Sequence, residues 1–208
     1  NHIFLHQGVV PNVNLTMATA LAHQWDYQAH CWRPVIDVTG KSSDEQIYIA
    51  GDGGGIGGAK AAAIAGRLAA SAIVARCGMP RFLAQLYYKL RHLHYLSIRP
   101  FLDRLYLPPA HFRLAQTDET IICRCEAVSK ADVNSALASG ASGPNQLKAF
   151  CRAGMGRCQG RGCGLVVQEM IASHTGQSMA ETGYYRLRPP VKPITLAELA
   201  SLEGPWPD

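Results

Sequence analysis

The chain has 208 residues, of which 48% are hydrophobic and 17% are charged. This composition excludes a disordered chain, and the length suffices for one domain of ordinary size and a small second one. The net charge of +5 is modest, and no known nucleic-acid-binding motif accompanies it, so we expect no nucleic-acid partner. The most apolar helical segment is interrupted by Arg67 and Arg76, so we expect no membrane span.

Residues 1–76 are predicted to alternate between strand and helix. "HIFLH" (2–6) predicts a short strand, "NVNLTMATALAHQW" (12–25) a helix, and "CWRPVIDVTG" (31–40) an extended hairpin arm. A strand at 46–50, a glycine-rich turn and a long Ala-rich helix follow. Residues 77–117 are basic and aromatic, and they predict a helical linker that is broken by Pro100 and ended by Pro108 and Pro109.

Residues 118–176 predict a compact, mainly helical module rich in cysteine. "TIICRC" predicts a strand, and Ser129 with Asp132 predicts the start of a first helix that ends at Gly140. Pro144 opens a second helix that Gly154 stops, and a third helix begins after Cys163. The proline-punctuated segment 177–208 predicts an extended C-terminal tail.

Seven cysteines are an odd number, and no secretory signal precedes them, which favours a reducing compartment and thiolate chemistry over disulfides. Four of them form a CxC pair, Cys123 and Cys125, and a Cx4C pair, Cys158 and Cys163, separated by 32 residues. Four thiolates can hold an iron–sulfur cluster or a zinc ion. Two cysteines separated by one residue are poorly spaced to bind the same tetrahedral ion. A [2Fe-2S] cluster has two irons, so each pair of thiolates can bind one of them.

The residues around the second pair suit a negatively charged cluster. Glycines let the backbone N–H groups approach closely, and the third helix points its N-terminus toward Cys163. The glycines are Gly160, Gly162 and Gly164, and the arginines alongside are Arg152, Arg157 and Arg161. The other cysteines, Cys31, Cys77 and Cys151, are each expected to be small buried residues rather than ligands.

"CRCE" followed by "KAFCRAGMGRCQGRGC" resembles the bacterioferritin-associated-ferredoxin-like [2Fe-2S] domain. The variant is the one fused to FAD-dependent amine and amino-acid dehydrogenases, in the α-subunit family of opine oxidase, D-hydroxyproline dehydrogenase and hydrogen cyanide synthase. The later "RLRPPVKPITLAELA" also fits this family. The resemblance implies that Cys123, Cys125, Cys158 and Cys163 are the cluster ligands.

"IYIAGDGGGIGG" is the second motif that indicates a binding site. It places a carboxylate and unobstructed backbone N–H groups at the same turn between a strand and a helix. This arrangement suits a ribityl hydroxyl and a pyrophosphate, although a purely structural strand–turn–helix is the alternative. The segment resembles the second FAD motif of two-dinucleotide-binding flavoproteins, in which the aspartate binds the ribitol. "GVVPN" (8–12) is similar to the segment where such chains return to the FAD domain. The implied cofactor-binding residues are Gly51, Asp52, Gly53, Gly54, Gly55, Ile56 and Gly57.

The fold class implied by this family is an α/β remnant of a two-dinucleotide-binding FAD domain, followed by a small mainly helical [2Fe-2S] domain. The first GxGxxG unit and the NAD-like domain that precede this point in the family are not in the 208 residues. We therefore expect either a C-terminal fragment or a second polypeptide that carries this half. FAD, or another nucleotide, would occupy a site completed by residues outside this chain.

The sequence thus predicts the electron-transfer part of a multisubunit FAD-dependent amino- or imino-acid dehydrogenase. A flavin-containing catalytic subunit would oxidise the substrate, and no residue of this chain is predicted to act as a catalytic acid or base. The alternatives are an electron-transfer subunit of a glycerol-3-phosphate-type dehydrogenase and a zinc-stapled structural subunit. The expected location is cytoplasmic, with a peripheral position at the inner membrane as a variant.

Overall fold

The computed structural model describes residues 2, 3 and 8–201, which form a mixed α/β architecture in which helices dominate. The strand predicted at 2–6 lies mostly outside the described residues. The helices are α1 Asn14–Ala18, α2 Ala59–Arg76, α3 Phe82–Leu96, α4 Arg99–Leu105, α5 Ala110–Arg113, α6 Lys130–Ala138, α7 Pro144–Cys151, α8 Gly164–Thr175, α9 Met179–Thr182 and α10 Leu196–Ala200. The strands are β1 His23–Asp26, β2 Cys31–Pro34, β3 Ile121–Cys123 and β4 Val128–Ser129.

The first antiparallel sheet pairs β1 with β2 and places Trp25 opposite Trp32. The helix predicted over 12–25 is therefore wrong in its second half, because α1 ends at Ala18 and Trp25 lies in a strand. The two indole rings meet edge to face with centroids 5.7 Å apart, and such cross-strand aromatic pairs stabilise a hairpin. The predicted arm at 31–40 is confirmed over β2.

The strand predicted at 46–50 is wrong. The segment makes one isolated bridge, between Lys41 and Tyr48, and the Ile49 N–H donates to the Gly40 carbonyl at 2.7 Å. The apolar pattern is present, but the described residues offer the segment no neighbouring strand with which to form a ladder. A short 3₁₀ turn, Gly51–Gly53, follows, and α2 begins at Ala59 as the Ala-rich pattern predicts.

The linker is helical, as predicted, and α3 packs along α2. Pro100 does not break it at its own position. It lies in the first turn of α4, where a proline lacks no hydrogen bond, and the break falls between Leu96 and Arg99. Pro109 immediately precedes α5.

The cysteine module follows the predicted order of strand and three helices. Ser129 and Asp132 form the predicted capping box of α6, Pro144 lies in the first turn of α7, and α8 begins directly after Cys163. The helix α7 ends at Cys151, before Gly154, because Arg152 adopts a left-handed conformation with φ of 62°. The core is formed by side chains that are fully buried, namely Val133, Leu147, Val167 and Ile171.

The tail is only partly extended, so the prediction for 177–208 is wrong in two places. The helices α9 and α10 each begin with a capping box, formed by Ser178 with Glu181 and by Thr195 with Glu198. These local hydrogen bonds stabilise a short turn of helix even between prolines. Residues 202–208 lie outside the described part of the chain.

The N-terminal segment packs directly on the cysteine module. The Asn14 side-chain amide donates to the Gln159 carbonyl at 2.9 Å, and the Trp32 indole N–H donates to the Gln168 side chain at 3.0 Å. Gln168 is completely buried, so its amide is satisfied by this contact and by donation to the Met179 carbonyl. The hairpin is thereby fixed against the module that carries the cysteines.

Candidate functional site

The four cysteines of the CxC and Cx4C motifs lie together in the folded module. Cys123 ends β3, and Cys163 directly precedes α8 at the end of the cysteine loop, residues 152–163. The Cys163 thiol interacts electrostatically with Cys123 and Cys158, and the Cys158 thiol interacts with Cys125. The thiols of the two motifs are therefore neighbours in the folded module.

The two pairs differ in exposure. Cys123 and Cys163 are buried, with 1% and 2% of their surface exposed, whereas Cys125 is exposed and Cys158 is intermediate. In the described residues, no three His, Cys, Asp or Glu side chains converge closely enough to hold a single metal ion. The site thus has two thiols inside the module and two nearer its surface.

The two thiols of the second motif, Cys158 and Cys163, have pKa values shifted in opposite directions. Burial and, next, the neighbouring Cys123 together raise the pKa of Cys163 to about 12. Burial also raises the pKa of Cys158, but hydrogen bonds from the Gly162 N–H, the Cys125 thiol and the N–H groups of Gly160 and Arg161 outweigh it and leave this pKa below its usual value. The cysteine loop therefore presents a nest of backbone donors to the Cys158 sulfur.

Gly156 packs directly against Cys125. A Cβ atom at residue 156 would overlap the Cβ of Cys125 and lie 3.4 Å from its sulfur. Gly160 and Gly164 have a second role that the sequence did not indicate, because they leave room for the rings of Tyr185 and Tyr184.

The arginines near the cysteines make local contacts. The Arg152 guanidinium pairs with Glu126 at 2.8 Å, and the Arg161 Nε donates to the Cys158 carbonyl at 2.9 Å. Arg161 thus binds the backbone next to a thiol, whereas Arg152 binds a side chain, and both arginines are exposed. Arg157 is exposed as well.

The other three cysteines differ from one another. Cys151 is half-buried, packs against the module core and donates to the Leu147 carbonyl at 3.4 Å. Cys31 is buried, and burial raises its pKa to about 11. Cys77 is exposed just after α2, so the expectation of a buried residue is wrong at this position.

Tyr184 and Tyr185 pack against the glycines of the cysteine loop and of the start of α8. The sequence motifs did not identify these two tyrosines as part of the site. The Tyr184 hydroxyl donates to the Gly160 carbonyl at 3.3 Å. Tyr185 is 3% exposed, and its hydroxyl is buried without a hydrogen-bond partner among the described residues. The two consecutive aromatic residues after Gly183 are evident in the sequence. Their contacts with glycines much earlier in the chain cannot be read from it.

An open cavity of about 1180 Å³ lies between the glycine turn and the cysteine module. Gly51 and the residues 54–57 line it from one side, and Arg161, Gly162 and Leu165 line it from the other. Asp52 is exposed and Gly53 is intermediate, and neither lines the cavity. The structure therefore brings most of the predicted nucleotide-binding residues to the cavity but leaves the predicted ribitol-binding carboxylate outside it.

Arg33 connects the hairpin to the glycine turn. Its guanidinium pairs with Asp26 at 2.7 Å and lies 3.5 Å from the Gly54 carbonyl. A Cβ atom at Gly55 would lie 2.8 Å from the Arg33 Cζ, and one at Gly57 would lie 2.9 Å from Leu96. These glycines thus have a packing role in the structure, independent of any ligand.

A charged cluster at the cavity edge joins three separate elements. The His30 Nε2 lies 2.7 Å from a Glu169 carboxylate oxygen, and the Arg113 Nη1 lies 3.5 Å from the other carboxylate oxygen. The Arg113 Nη1 also lies 2.9 Å from the His30 Nδ1 and 2.7 Å from the His30 Nε2. Burial raises the pKa of Glu169, but the hydrogen bond and charge of His30 and the charge of Arg113 outweigh it and lower this pKa.

The cysteine module and the segment after it have a recognisable counterpart. Residues 117–202 match the family model of the sarcosine oxidase A3 domain. This A3 module contains all four paired cysteines, the tyrosine pair and the helices α6 to α10.

The whole chain is also similar to curated proteins. It is 45% identical over 205 residues to the A subunit of opine oxidase from Rhizobium meliloti, an alignment that covers 96% of this chain and 39% of that protein. It is 31% identical over 191 residues to the hydrogen cyanide synthase subunit HcnB of Pseudomonas protegens, an alignment that covers 90% of this chain and 40% of that protein. The chain therefore spans about two fifths of the length of the curated relatives it matches.

A solved structure supports the fold. The crystal structure of L-proline dehydrogenase from P. horikoshii superposes with a TM-score of 0.72 over 92% of this chain and 37% of that one. The sequence identity is 23%, so this similarity concerns the fold. The N-terminal segment, the helical linker and the A3 module thus recur together in that fold.

Proposed function

We propose that this chain is the electron-transfer part of a multisubunit, FAD-dependent amino- or imino-acid dehydrogenase of the opine oxidase type. The observation that carries the proposal is the placement of two thiol pairs next to a large cavity lined by a glycine turn. The similarity to oxidase and dehydrogenase subunits over nearly the whole chain supports an oxidoreductase role.

The thiols fit a [2Fe-2S] cluster held by Cys123, Cys125, Cys158 and Cys163. Two pairs of thiolates match two irons, and the donor set is the one such clusters use. The backbone donors of Gly160, Arg161 and Gly162 at the Cys158 sulfur compensate the negative charge of four thiolates. When bound, the cluster would supply one-electron chemistry.

The cavity fits a flavin nucleotide or another dinucleotide. Its volume of about 1180 Å³ is somewhat above the usual range for ligand sites, roughly 300–1,000 Å³. The N-terminus of α2 has no side-chain cap, so its N–H groups are free to face a phosphate. We propose that residues outside this chain complete the site.

Residues of the cysteine loop form part of the cavity wall, which places the cavity next to the thiols. Arg161 and Gly162 line the cavity and lie between Cys158 and Cys163 in the cysteine loop. A ligand in the cavity would therefore contact the loop that holds the thiols. In this proposal the chain's role is to carry electrons singly between that ligand and an acceptor.

A flavin-containing catalytic subunit is the proposed partner, and it would oxidise the substrate. The linker supports the presence of a partner because its helices expose large apolar side chains. These include Phe82, Leu83, Leu90, Leu93, Phe101 and Phe112.

Among the described residues, no helix is both long and apolar enough to cross a membrane. The proposed location of the protein is the cytoplasm, and the alternative is a peripheral position at the inner membrane.

Metal and sulfide analysis tests the cluster against the zinc-stapled alternative. We expect a brown protein with iron and acid-labile sulfide in equal amounts and a visible spectrum that dithionite bleaches. A colourless protein with one zinc per chain would contradict the proposal and favour a structural role. Substrate screening of the co-purified complex separates amino and imino acids from glycerol phosphate, the substrate class of the other alternative.

Single cysteine variants test the ligand assignment. Cys125→Ser and Cys158→Ser each break one thiol pair, so we expect loss of the visible spectrum and of bound iron. Cys151→Ser is the matched control, because Cys151 hydrogen-bonds within α7 and packs against the core. Loss of the spectrum in Cys151→Ser, or its retention in Cys125→Ser, would show that the ligand set is wrong.

A further inference from the structure

The linker helix α3 exposes a stripe of leucines along one side. Leu83, Leu86, Leu90 and Leu93 follow one another at intervals of three, four and three residues, and they are 78%, 44%, 59% and 56% exposed. These intervals place them on one face of the helix, in the pattern by which helices pack together in coiled coils and bundles. Single exposed leucines are ordinary on a protein surface, whereas a continuous apolar stripe marks a contact surface.

A different side of α3 packs against α2. Gln85, His92 and Leu96 are half-buried, and the Gln85 side chain donates to the Ser71 carbonyl of α2 at 3.2 Å. These residues also recur at helical spacing. The helix α3 therefore has one face for α2 and another, the leucine stripe, that the described residues leave exposed.

The charge around the leucine stripe is positive. Lys89 and Arg91 precede and follow Leu90, so they lie on its two sides on the helix surface, and both are exposed. The sequence has no Asp or Glu in residues 77–102. A second copy of α3 would bring basic side chains against basic ones, which disfavours self-association. The stripe matches instead a helix whose apolar residues are flanked by Asp or Glu.

Arg91 is ordered on the surface of α3 by two tyrosines. Its guanidinium donates to the Tyr95 hydroxyl at 2.6 Å and lies 3.4 Å from the Tyr87 hydroxyl. The guanidinium carbon lies 5.8 Å from the ring centroid of Tyr87 and 5.3 Å from that of Tyr95. Tyr and Arg are enriched among the residues that dominate binding between proteins, and a side chain that is already ordered loses less entropy on binding. This arrangement favours a protein over a lipid surface as the partner.

We propose that the leucine stripe of α3 binds a helix of the flavin-containing catalytic subunit, in which apolar residues at heptad spacing are flanked by carboxylates. The inference rests on the proposed function, which supplies that subunit as the partner. In such packing Leu90 inserts between side chains of the facing helix. Lys89 and Arg91 then pair with carboxylates at the edges of the contact.

Photo-crosslinking in the co-purified complex identifies what covers the stripe. Replacing Leu90 by p-benzoylphenylalanine should give a crosslink to the catalytic subunit on irradiation. The same replacement of Leu15, an exposed leucine of α1, should give none. A crosslink from position 90 to a second copy of this chain, to another part of the same polypeptide or to lipid overturns the inference, and so does the absence of any crosslink from that position.

Affinity measurements test the chemistry of the contact. We expect Leu90→Asp to weaken binding of the catalytic subunit by at least about thirtyfold, as for a residue at the centre of an interface, and Leu15→Asp to leave it unchanged. Neutralising both cations in Lys89→Gln/Arg91→Gln should weaken binding less and reduce the dependence of the affinity on salt concentration.

The outcomes separate this inference from the proposed function. Unchanged affinity in Leu90→Asp means that the stripe is not used. Loss of helical circular dichroism in isolated Leu90→Asp means that the chain itself covers the stripe. Either result overturns the inference while the catalytic subunit remains the proposed partner. Failure of the unaltered chain to form any complex with that subunit contradicts the proposed function itself.

Discussion

Gly156 sets the position of the Cys125 thiol because a side chain at this residue has no free space. A Cβ atom there would overlap the Cβ of Cys125 and contact the Glu126 carboxylate at 3.1 Å. The Cys125 backbone would have to move, and ligand sulfurs must be placed within a few tenths of an ångström for a metal site. Gly156 is therefore required for steric reasons and not for a left-handed backbone.

We predict that Gly156→Ala lowers the iron and sulfide content of the proposed cluster severalfold, as measured by chemical analysis after purification. Gly162→Ala is the matched control in the same loop, since a Cβ atom at residue 162 would meet no protein atom within 4 Å. Full cluster content in Gly156→Ala, or equal losses in both variants, would show that this contact does not position the ligand.

The sequence predicted which cysteines form the candidate site but not which residues surround them. Cysteine spacing is local, so the two motifs are visible in the sequence. The proximity of Cys163 to Cys123, and of Cys158 to Cys125, depends on how β3 and the cysteine loop meet. The burial of Tyr185 likewise depends on tail packing, because the residues that leave room for its ring lie 25 and 31 positions earlier.

At the scale of single elements, the cap of α6 gives a direct test of local stabilisation. The Asp132 N–H donates to the Ser129 hydroxyl at 3.2 Å, and the Ser129 N–H donates to the Asp132 carboxylate at 2.8 Å. The backbone hydrogen bond also lowers the pKa of Asp132. This helix carries Val133 and Leu137 into the module core, so its start fixes part of the scaffold around the cysteines.

We predict that Ser129→Ala destabilises the protein by about 1 kcal/mol, the usual cost of an N-cap serine. The measurement is the midpoint of urea unfolding followed by circular dichroism. Ser135→Ala, an exposed change in the middle of the same helix, should be neutral or slightly stabilising because alanine is the better helix former. Equal effects at both positions would contradict the capping argument.

Helices and strands differed in how well the sequence predicted them. The starts of α6, α7 and α8 were correct because capping and proline signals are local. The strand at 46–50 failed because a strand needs a partner, and apolar alternation cannot supply one. The helix over 12–25 failed at Trp25 because cross-strand packing with Trp32 outweighed the helical spacing.

At the scale of the whole molecule, the contact of His30, Arg113 and Glu169 holds the hairpin, the linker and the A3 module together. The three side chains come from the turn after β1, from α5 and from α8, and they are 19%, 23% and 17% exposed. Because Glu169 and Arg113 also line the cavity, the same contact fixes the relative position of the cavity walls. A change here should affect stability without touching a thiol.

We predict that Glu169→Gln lowers the free energy of unfolding by about 1–2 kcal/mol near neutral pH, as expected for partly buried hydrogen bonds to a charged group. The folded-state pKa of Glu169 lies below its ordinary value of 4.5. The carboxylate therefore stabilises the fold above that value, and this contribution is lost as the pH falls through the folded-state pKa. Urea unfolding of both proteins over an acidic pH series should show the difference shrinking.

The control is Glu119→Gln, which neutralises an exposed carboxylate at the start of the A3 module. It should leave the unfolding midpoint nearly unchanged, because exposed charges contribute about 0–1 kcal/mol. A Glu169→Gln difference that stays constant with pH would mean that packing of the side chain, and not its charge, joins the three elements. An effect no larger than that of Glu119→Gln would show that Asn14, Trp32 and Gln168 hold the two parts together without it.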